Sequence, residues 1–470
     1  MPATIHLEAH LNLLLVGLVL YVLAMLVIGA WVSRRIRDET DYLVAGHALG
    51  PMLVAFSVFA TWFGAETIIG ASGSIYTDGL AGGNADPFGY GLCLIGAGLV
   101  FAVPLWRRGL TTYADLFRQR YSAGVERAMV LLYVPSSVIW GAAQIRAFGQ
   151  VLGVASGLEL DLAIVAGAIV VIAYTLLGGL MADALTDLVQ GMALIIGLVV
   201  ILIAVMTEAG GVTASLALVE PARFQPFGSG GRSGLEVLEE WAVPVLGSLL
   251  AAEILQRIIG ARSASVAKWG TLGGAGLYIL VGLIPVYLGL VGPELVPGLA
   301  DPEDLVPTLA DRYLGTFAHV LFSGALVSII LSTVDSTLLA AGGLLSHNLI
   351  LPLRPDLGIR ERLYWTRGSV LVLGIVATVL ALGANTMYDL VLTASAFGSA
   401  GVVVVSCFAL FSRVGGPASA YASLLVGLVV WAYGDFVGGW SAPFLTAIAC
   451  AVAAYLVPAA FGAGVKSEPA

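Results

Sequence analysis

The stretch SIILSTVDSTLL, residues 328–339, places six side chains with hydroxyl or carboxyl groups inside a segment that is otherwise apolar. In hydrocarbon each hydroxyl needs a hydrogen-bond partner, and a carboxylate needs a proton or a cation. The meaning of the stretch therefore depends on the medium that surrounds the chain.

The composition indicates that this medium is a lipid bilayer. Of the 470 residues, 59% are hydrophobic and only 11% are charged, whereas about 25% charged residues is usual for soluble proteins. Many apolar runs exceed the roughly 18 residues that suggest a membrane span. We predict a polytopic, all-α membrane protein, and the composition argues against a soluble enzyme. The three cysteines lie in apolar runs and offer neither a disulfide framework nor metal-ligand spacing.

Hydropathy predicts thirteen membrane spans, and the first is retained because its arginines follow the apolar run. With this count, 17 of the 21 basic residues fall on one side, including Arg257 in the connection between spans seven and eight. Basic loops face the cytoplasm. We therefore predict an integral plasma-membrane protein with its N-terminus outside and its C-terminus in the cytoplasm. The spans cover residues 11–33, 50–76, 86–106, 127–153, 160–178, 184–206, 236–257, 265–292, 318–349, 365–384, 387–412, 417–435 and 441–461.

Spans two and seven are interrupted by polar and helix-breaking residues. Span two contains Gly64 and Glu66, and span seven contains Pro244, Gly247 and Glu253. Irregular backbone at membrane depth is tolerated where it lines a cavity or is buried in protein. A pair of interrupted spans at matching places in two halves indicates an inverted-repeat secondary transporter. Glycines that only permit close helix packing are the alternative.

Span nine carries a row of oxygen ligands. Positions 329, 332, 333 and 336 lie on one helical face. Hydroxyls without formal charge suit a hard, monovalent cation that must leave again, and sodium is the natural candidate. Hydrogen bonding between helices is the alternative. Asp335 in this span and Asp187 in span six are intramembrane carboxylates, which makes both functional candidates.

Three motifs on separate spans, FATWFGAETIIGASG, TLLGGLMADALTDLVQG and SIILSTVDSTLLAAGGLLSHNLI, resemble the sodium:solute symporter family. The resemblance implies a LeuT-like fold with two inverted five-helix repeats, and symport of a small organic solute with sodium by alternating access. It divides the chain into an extra span with the first cytoplasmic loop (1–49), a first repeat (50–206), an outer loop (207–235), a second repeat (236–412), and two extra spans with a tail (413–470).

The resemblance also implies a sodium site between spans two and nine. Matched by motif, its ligands are the backbone carbonyls of Ala60, Phe63 and Ile329 and the side-chain hydroxyls of Ser332 and Thr333. Some family members have a second sodium site, and its matching or neighbouring residues here are Asp187, Asp335 and Ser336. The match leaves open whether one or two ions are used.

Further segments, ATW, FGYGL and VIWGAAQI, resemble a family member that carries a quaternary ammonium ion. This comparison places Trp62, Tyr90 and Trp140 around the substrate. Aromatic faces hold a desolvated cation by about 2 kcal/mol or more, although rings that only fill the core are the alternative. Glu66 and Glu253 stand in the interrupted spans, and their negative charge favours a cationic amine.

The residues leave other readings open. Glu253 could instead pair with Arg257, and Glu66 with a backbone donor. A proton-coupled symporter of the same fold, with Asp335 or Glu66 as carrier, is one alternative, and a monocarboxylate, sugar or amino acid substrate is another. An enzyme is disfavoured because the five histidines lack grouping with a nucleophile or a metal cluster, and a passive channel because no selectivity filter is visible. The predicted partners are a small-molecule substrate and the bilayer, with no nucleic acid.

Overall fold

The computed structural model describes residues 36–156, 158–227, 233–384 and 387–461, with isolated positions between 23 and 34. Predicted span one, 11–33, lies almost entirely outside the described residues. Ten helices of the described part are long and apolar enough to cross a membrane. The number is eleven when one pair bent by 41°, Gly234–Gly247 and Ala252–Gly260, counts as a single span.

The first half of the chain contains nine helices in the described ranges. Between α7 and α8 the helix direction changes at Gly179, whose φ of 60° favours glycine. A side chain there would also meet the backbone and ring of Tyr42 at 2.7 Å. The helices are α1 (Glu39–Val44), α2 (Pro51–Trp62), α3 (Ala71–Asp78, entered through the π-helical turn Glu66–Gly70), α4 (Tyr90–Gly96, continued by Ala97–Phe101 and Ala102–Trp106), α5 (Asp115–Arg120), α6 (Ala123–Ser156), α7 (Leu160–Leu177), α8 (Gly179–Glu208) and α9 (Val212–Leu218).

The second half contains ten more helices in the described ranges. Proline begins α18 and α19, where its missing N–H costs nothing and its fixed φ suits the first turn. The helices are α10 (Gly234–Ala242, followed by the π-helical Val243–Gly247), α11 (Ala252–Gly260), α12 (Ala264–Leu295), α13 (Leu305–Tyr313), α14 (Thr316–Gly343, followed by the π-helical Leu344–Ile350), α15 (Ile359–Gly383), α16 (Met387–Ala396), α17 (Ser399–Phe411), α18 (Pro417–Tyr433) and α19 (Pro443–Ala460).

Both interruptions predicted from the sequence are present. Helix α2 ends at Trp62, and the next residue, Phe63, leaves the helical conformation with φ −90° and ψ 70°. Helix α11 begins after Ala251, which is extended with ψ 131°. Each predicted span is therefore two half-helices joined by a short irregular segment. Helix α14 packs against α2, α6 and α8, and most of its described residues are buried. The predicted repeat boundaries remain a prediction.

Contacts between loops agree with the predicted alternation of the spans. At one end of the bundle Trp106 donates to the carbonyl of Ala261, and Arg120 donates to that of Val414. These loops carry arginines that the sequence assigned to one side. The assignment of Arg257 to a loop is wrong, because this residue lies within α11 and its side chain is fully buried.

Candidate ion and substrate sites

Helix α14 and the broken end of α2 bring a first group of oxygen atoms together. The Thr333 hydroxyl oxygen lies 3.5 Å from the carbonyl oxygen of Ala60 and 3.2 Å from that of Ile329. All three residues are fully buried. A helix leaves its last four carbonyls without intrahelical partners, so the end of α2 at Trp62 makes Ala60 available. Three of the five predicted sodium ligands are therefore adjacent.

The other two predicted ligands lie beside this group. Phe63 is the first non-helical residue after α2, and its carbonyl is not part of the regular helical ladder. The hydroxyl of Ser332 donates to the carboxylate of Asp187 on α8. That carboxylate also accepts from the hydroxyl of Ser57. The row of oxygen atoms that includes Thr333 therefore extends through the Ser332 hydroxyl to the buried carboxylate of Asp187.

Arg257 supplies the positive charge in this region. Its guanidinium forms an ion pair with Asp183 of α8 and donates to the hydroxyl of Ser336. The guanidinium Nε donates to Ser57 Oγ at 3.1 Å, and Nη2 lies 3.8 Å from a carboxylate oxygen of Asp187. Both Arg257 and Asp183 are fully buried. Sequence reasoning missed this cluster, although two intramembrane charges on separate spans were a signal for it.

The three residues predicted for a second sodium site are divided between two environments. Asp187 and Ser336 both lie against Arg257. The carboxylate of Asp335 lies next to Thr175 of α7, and close enough to Asp183 for the two charges to interact. The structure therefore joins Asp187 with Ser332, and Ser336 with Asp183, and places Asp335 on the Thr175 side of this group.

The three predicted aromatic residues form one cluster. Ring centroids lie 5.3 Å apart for Trp62 and Tyr90, 5.8 Å for Trp62 and Trp140, and 6.0 Å for Tyr90 and Trp140. The Tyr90 hydroxyl is hydrogen-bonded to Ser395 of α16 at 3.0 Å. Because the rings pack against one another, they form a closed layer rather than an open cage. We call Trp62, Tyr90 and Trp140 the aromatic cluster.

A small cavity of about 20 Å³, which is room for one water molecule, lies beside this cluster at the break between α10 and α11. Its wall includes Trp140, Ser395, Ser248, Ala251 and Glu253, and no lysine or arginine among the described residues lines it. The Glu253 carboxylate accepts from Ser137. The break therefore brings a buried carboxylate to the cavity that Trp140 faces. We call this space the central cavity.

Of the two local pairings predicted for the glutamates, the one between Glu66 and a backbone donor is present, because the Glu66 carboxylate interacts with its own backbone N–H. In the described part of the chain no ion pair joins the side chains of Glu253 and Arg257. Arg257 donates to the backbone carbonyl of Glu253 at 3.0 Å, while its charge is paired with Asp183. The Glu66 carboxylate accepts from the amide of Gln144 at 2.6 Å. Gln144 lies one turn after Trp140 on α6, which brings Glu66 next to the aromatic cluster.

Another buried carboxylate escaped sequence reasoning. Asp86 accepts from the hydroxyls of Tyr278 at 2.7 Å and Thr67 at 2.8 Å. It lies just before α4, next to Glu66, which follows the break in the first half. Its position directly before a proline, in a predicted span, was the available signal. Within the described ranges no three His, Cys, Asp or Glu side chains group as a metal site.

Comparison with known proteins identifies the family. Residues 42–427 match the model of the sodium:solute symporter family. The chain belongs to this family. Human high affinity choline transporter 1 is 27% identical over 403 residues, which cover 80% of this chain and 69% of that protein. The Drosophila melanogaster high-affinity choline transporter 1 is 28% identical, with 80% and 63% covered. The chain thus spans about two thirds of the length of these relatives.

Other relatives carry different solutes. The high-affinity proline transporter PutP of Bacillus subtilis is 29% identical over 437 residues, which cover 87% of this symporter and 90% of that protein. The resemblance to the sodium:solute symporter family predicted from the motifs is confirmed. The family and its named relatives make this chain an integral membrane protein and a sodium-coupled symporter of small solutes.

Solved structures confirm the predicted LeuT-like fold. A sodium-coupled sialic acid symporter in a substrate-bound, outward-open state superposes with a TM-score of 0.82 at 18% identity, covering 96% of this chain and 98% of that one. Mhp1, a nucleobase-cation-symport-1 family transporter, gives a TM-score of 0.62 at 15% identity, covering 90% and 94%. These proteins are transporters, as are the relatives above.

Proposed function

We propose that this symporter imports a small organic cation, a quaternary ammonium ion or a protonated amine, together with one sodium ion. The observation that supports this most directly is that Trp140 and Glu253 line one cavity whose described wall residues include no lysine or arginine. An aromatic face and a carboxylate both attract a desolvated cation.

The aromatic cluster and the carboxylate have complementary roles in this proposal. The rings of Trp62, Tyr90 and Trp140 already contact one another, so the cation binds on the cavity side of Trp140 when the half-helices α10 and α11 move apart to enlarge the cavity. Glu253 supplies a negative charge on the same side. A monocarboxylate would meet this charge, and the basic residue nearest to it, Arg257, is already paired with Asp183, which disfavours that alternative. The choline transporters among the relatives agree with a cationic substrate.

Sodium binds, in our proposal, where α14 meets the end of α2. Thr333, Ala60 and Ile329 supply neutral oxygens, and Phe63 and Ser332 complete the set. Neutral oxygens suit a monovalent ion that must dissociate in every cycle. Arg257 and Asp183 form an ion pair with no net charge. Asp187 is then the negative charge closest to the proposed sodium site, through its contact with Ser332. Because Arg257 already lies against Asp187 and Ser336, we assign no second sodium to them.

Coupling follows from a shared conformational preference. Sodium at the break of α2 stabilises the outward-open form, and substrate in the central cavity favours the same arrangement of half-helices before the bundle rocks inward. Ligands couple only when they favour the same state. With the N-terminus outside and the C-terminus in the cytoplasm, sodium and an organic cation enter with two charges. A membrane potential then contributes about 4.6 kcal/mol per 100 mV to each cycle.

The charge carried per substrate tests this proposal. The purified protein is reconstituted in liposomes, and choline uptake and charge movement are measured together. We expect two charges per choline, and no uptake when potassium replaces sodium. One charge per substrate, or preference for a neutral solute in a thermal-shift screen of amines, sugars, amino acids and monocarboxylates, would contradict an organic cation.

Proton coupling is the second candidate, and one observation favours it. Glu66 is buried, and one of its carboxylate oxygens has no hydrogen-bond partner within the described ranges. A protonated carboxyl would suit such a place, because burial of an uncompensated charge is costly. Uptake that persists without sodium and collapses with a protonophore would support this candidate over the first.

A further inference from the structure

One hydroxyl in the wall of the central cavity, that of Ser248, has no role in the proposed function. Ser248 lies at the break, directly after the π-helical Val243–Gly247 and a few residues before α11. It is 3% exposed and lines the cavity. Among the described residues, its oxygen Oγ has no hydrogen-bond partner. Leaving a buried hydroxyl without a partner is costly, so a ligand that pairs with it gains affinity.

The other serines of this wall already make contacts within the protein. Ser136 and Ser395 each donate to a backbone carbonyl, at 2.6 and 3.0 Å. Ser137 lies against the carboxylate of Glu253. The hydroxyl of Ser248 differs from these because no group in the described part of the chain bonds to it. It is therefore available to a ligand.

Ser248 and Glu253 stand on the two sides of the break and line the same cavity. Glu253 belongs to the first turn of α11, whereas Ser248 precedes that helix. An ionised carboxylate only accepts hydrogen bonds, and a serine hydroxyl has two lone pairs that accept. A cation that carries N–H groups can donate to both oxygens, and hydrogen bonds from a charged donor are about twice as strong as neutral ones. The two sides of the break therefore favour a donor with a positive charge.

The aromatic surface of the cavity is small by comparison. Of the aromatic cluster only Trp140 is among the described wall residues, and Trp62 and Tyr90 pack against it. Tyr133 is a second ring in the wall, and its hydroxyl donates to a backbone carbonyl. Quaternary ammonium ions are recognised by cages of aromatic faces. A trimethylammonium group has no N–H group, so it would leave Ser248 unpaired here.

We propose that the central cavity selects a protonated amine with at least one N–H group over a quaternary ammonium ion. The amine donates to Ser248 Oγ and to the Glu253 carboxylate, and its charge lies against the face of Trp140. Ser248 is then a specificity-determining residue, because it distinguishes an N–H group from an N-methyl group. The inference rests on the proposed function, since it takes import of an organic cation as given and separates the two classes of cation named there.

A series of ligands that differ only in methylation of the nitrogen tests this selectivity. Ethanolamine, N-methylethanolamine, N,N-dimethylethanolamine and choline share one hydroxyethyl group, and all four are cations at neutral pH. Choline alone among them lacks an N–H group. Binding of each to the purified full chain in nanodiscs is measured in sodium by isothermal titration calorimetry. We expect wild type to bind dimethylethanolamine about tenfold more tightly than choline, because choline leaves a buried oxygen unpaired.

Substitution of Ser248 separates hydrogen bonding from the size of the cation. Ser248→Ala weakens dimethylethanolamine about tenfold and leaves choline within about twofold, because choline has no bond to lose. If the cavity merely excluded the larger cation, the same variant would improve choline and leave dimethylethanolamine unchanged. Ser248→Thr keeps the oxygen and the wild-type order of affinities. The control is Ser369→Ala, which removes a buried hydroxyl that donates within α15 and leaves both affinities unchanged.

The outcomes separate this selectivity from the proposed function. If choline binds wild type as tightly as dimethylethanolamine does, or if Ser248→Ala acts equally on both ligands, the selectivity is overturned while import of an organic cation stands. If none of the four cations binds and a neutral solute does, the proposed function fails together with the inference. Sodium-dependent thermal stabilisation verifies that each variant is folded, and the wild-type series tests the order of affinities without any substitution.

Discussion

Arg257 of α11 and Asp183 of α8 form an ion pair in which neither side chain is exposed. The pair joins the half-helix after the second break to a helix of the first half of the chain. Removing two charges from water costs several kcal/mol per ion, so such a pair is weak evidence for stability by itself. Its position against Ser336, and 3.8 Å from Asp187, gives it a role in setting the charge beside the proposed sodium site.

Removing only Arg257 is expected to destabilise the protein. Arg257→Ala leaves Asp183 as an uncompensated buried charge, which costs about 3–5 kcal/mol. Arg257→Gln combined with Asp183→Asn keeps hydrogen-bonding groups without charge, and recovers most of the lost stability. Thermal unfolding of the purified protein measures both effects, with the exposed Arg107→Ala as control. Equal unfolding temperatures for the single and double variants would contradict a charge-based explanation.

Loss of the Thr333 hydroxyl is expected to weaken sodium binding. Thr333→Ala removes one neutral ligand, and a loss of about 1.4 kcal/mol raises the sodium concentration for half-maximal uptake about tenfold. Thr333→Ser keeps the oxygen and stays near wild type. Thr337→Ala is the matched control, because Thr337 is buried one turn further along α14 and donates within that helix.

An unchanged sodium dependence in Thr333→Ala would remove Thr333 from the ligand set. The double substitution of Ser332 and Thr333 by Ala extends the test, because Ser332 adjoins both Thr333 and Asp187. We expect a larger shift than in either single variant, measured by the same uptake assay.

Variants of two buried aspartates test whether the protein binds one sodium ion or two in each transport cycle. Asp187→Asn removes the negative charge next to Ser332, and we expect weaker sodium binding. Asp335→Asn changes a carboxylate that lies next to Thr175 of α7, whereas Ser332 contacts Asp187, and we expect the sodium dependence of uptake to stay the same. A Hill coefficient near two in wild type that falls to one in Asp335→Asn would instead establish a second site there.

Most of the fold was predictable, because a chain in a bilayer must cross it in long apolar helices whose backbone groups are hydrogen-bonded internally. Length and apolarity located the membrane helices from α2 to α19 within a few residues. Gly64 and Gly247 marked the two breaks, since helix-breaking residues stand out in apolar runs. A side chain at Gly247 would lie 2.6 Å from the backbone oxygen of Ser395, so this glycine also permits α10 to approach α16 closely.

The pairing of charges was not predictable from spacing within a single span. Arg257 was counted with a basic loop because it comes just before one in the sequence. Its partner Asp183 lies 74 positions earlier, and only the tertiary fold brings them together. Asp86 was missed for the same reason, because its partner Tyr278 belongs to α12. The aromatic cluster was found because a family resemblance, rather than spacing, supplied it.

Trp140 is expected to matter for the substrate more than for sodium. Trp140→Ala removes an aromatic face worth about 2 kcal/mol to a desolvated cation, and raises the dissociation constant of the central, sodium-dependent choline site by an order of magnitude or more. Trp140→Phe keeps a weaker face and gives an intermediate value. The exposed Trp269→Ala serves as control. Equal losses of choline and sodium affinity in Trp140→Ala would make the ring structural.

Glu253 and Glu66 are expected to differ, although both follow a break. Glu253 lines the central cavity, so Glu253→Gln removes the charge that faces the substrate and weakens choline binding at least tenfold. Glu66 is held by Gln144, so Glu66→Gln has a smaller effect on choline. The matched comparison is binding of a neutral analogue of choline with a tert-butyl group in place of the ammonium. We expect Glu253→Gln to reduce the preference for choline over this analogue, because the carboxylate distinguishes only charge. If Glu253→Gln weakens both ligands equally, the carboxylate supports the shape of the break and does not recognise the cation.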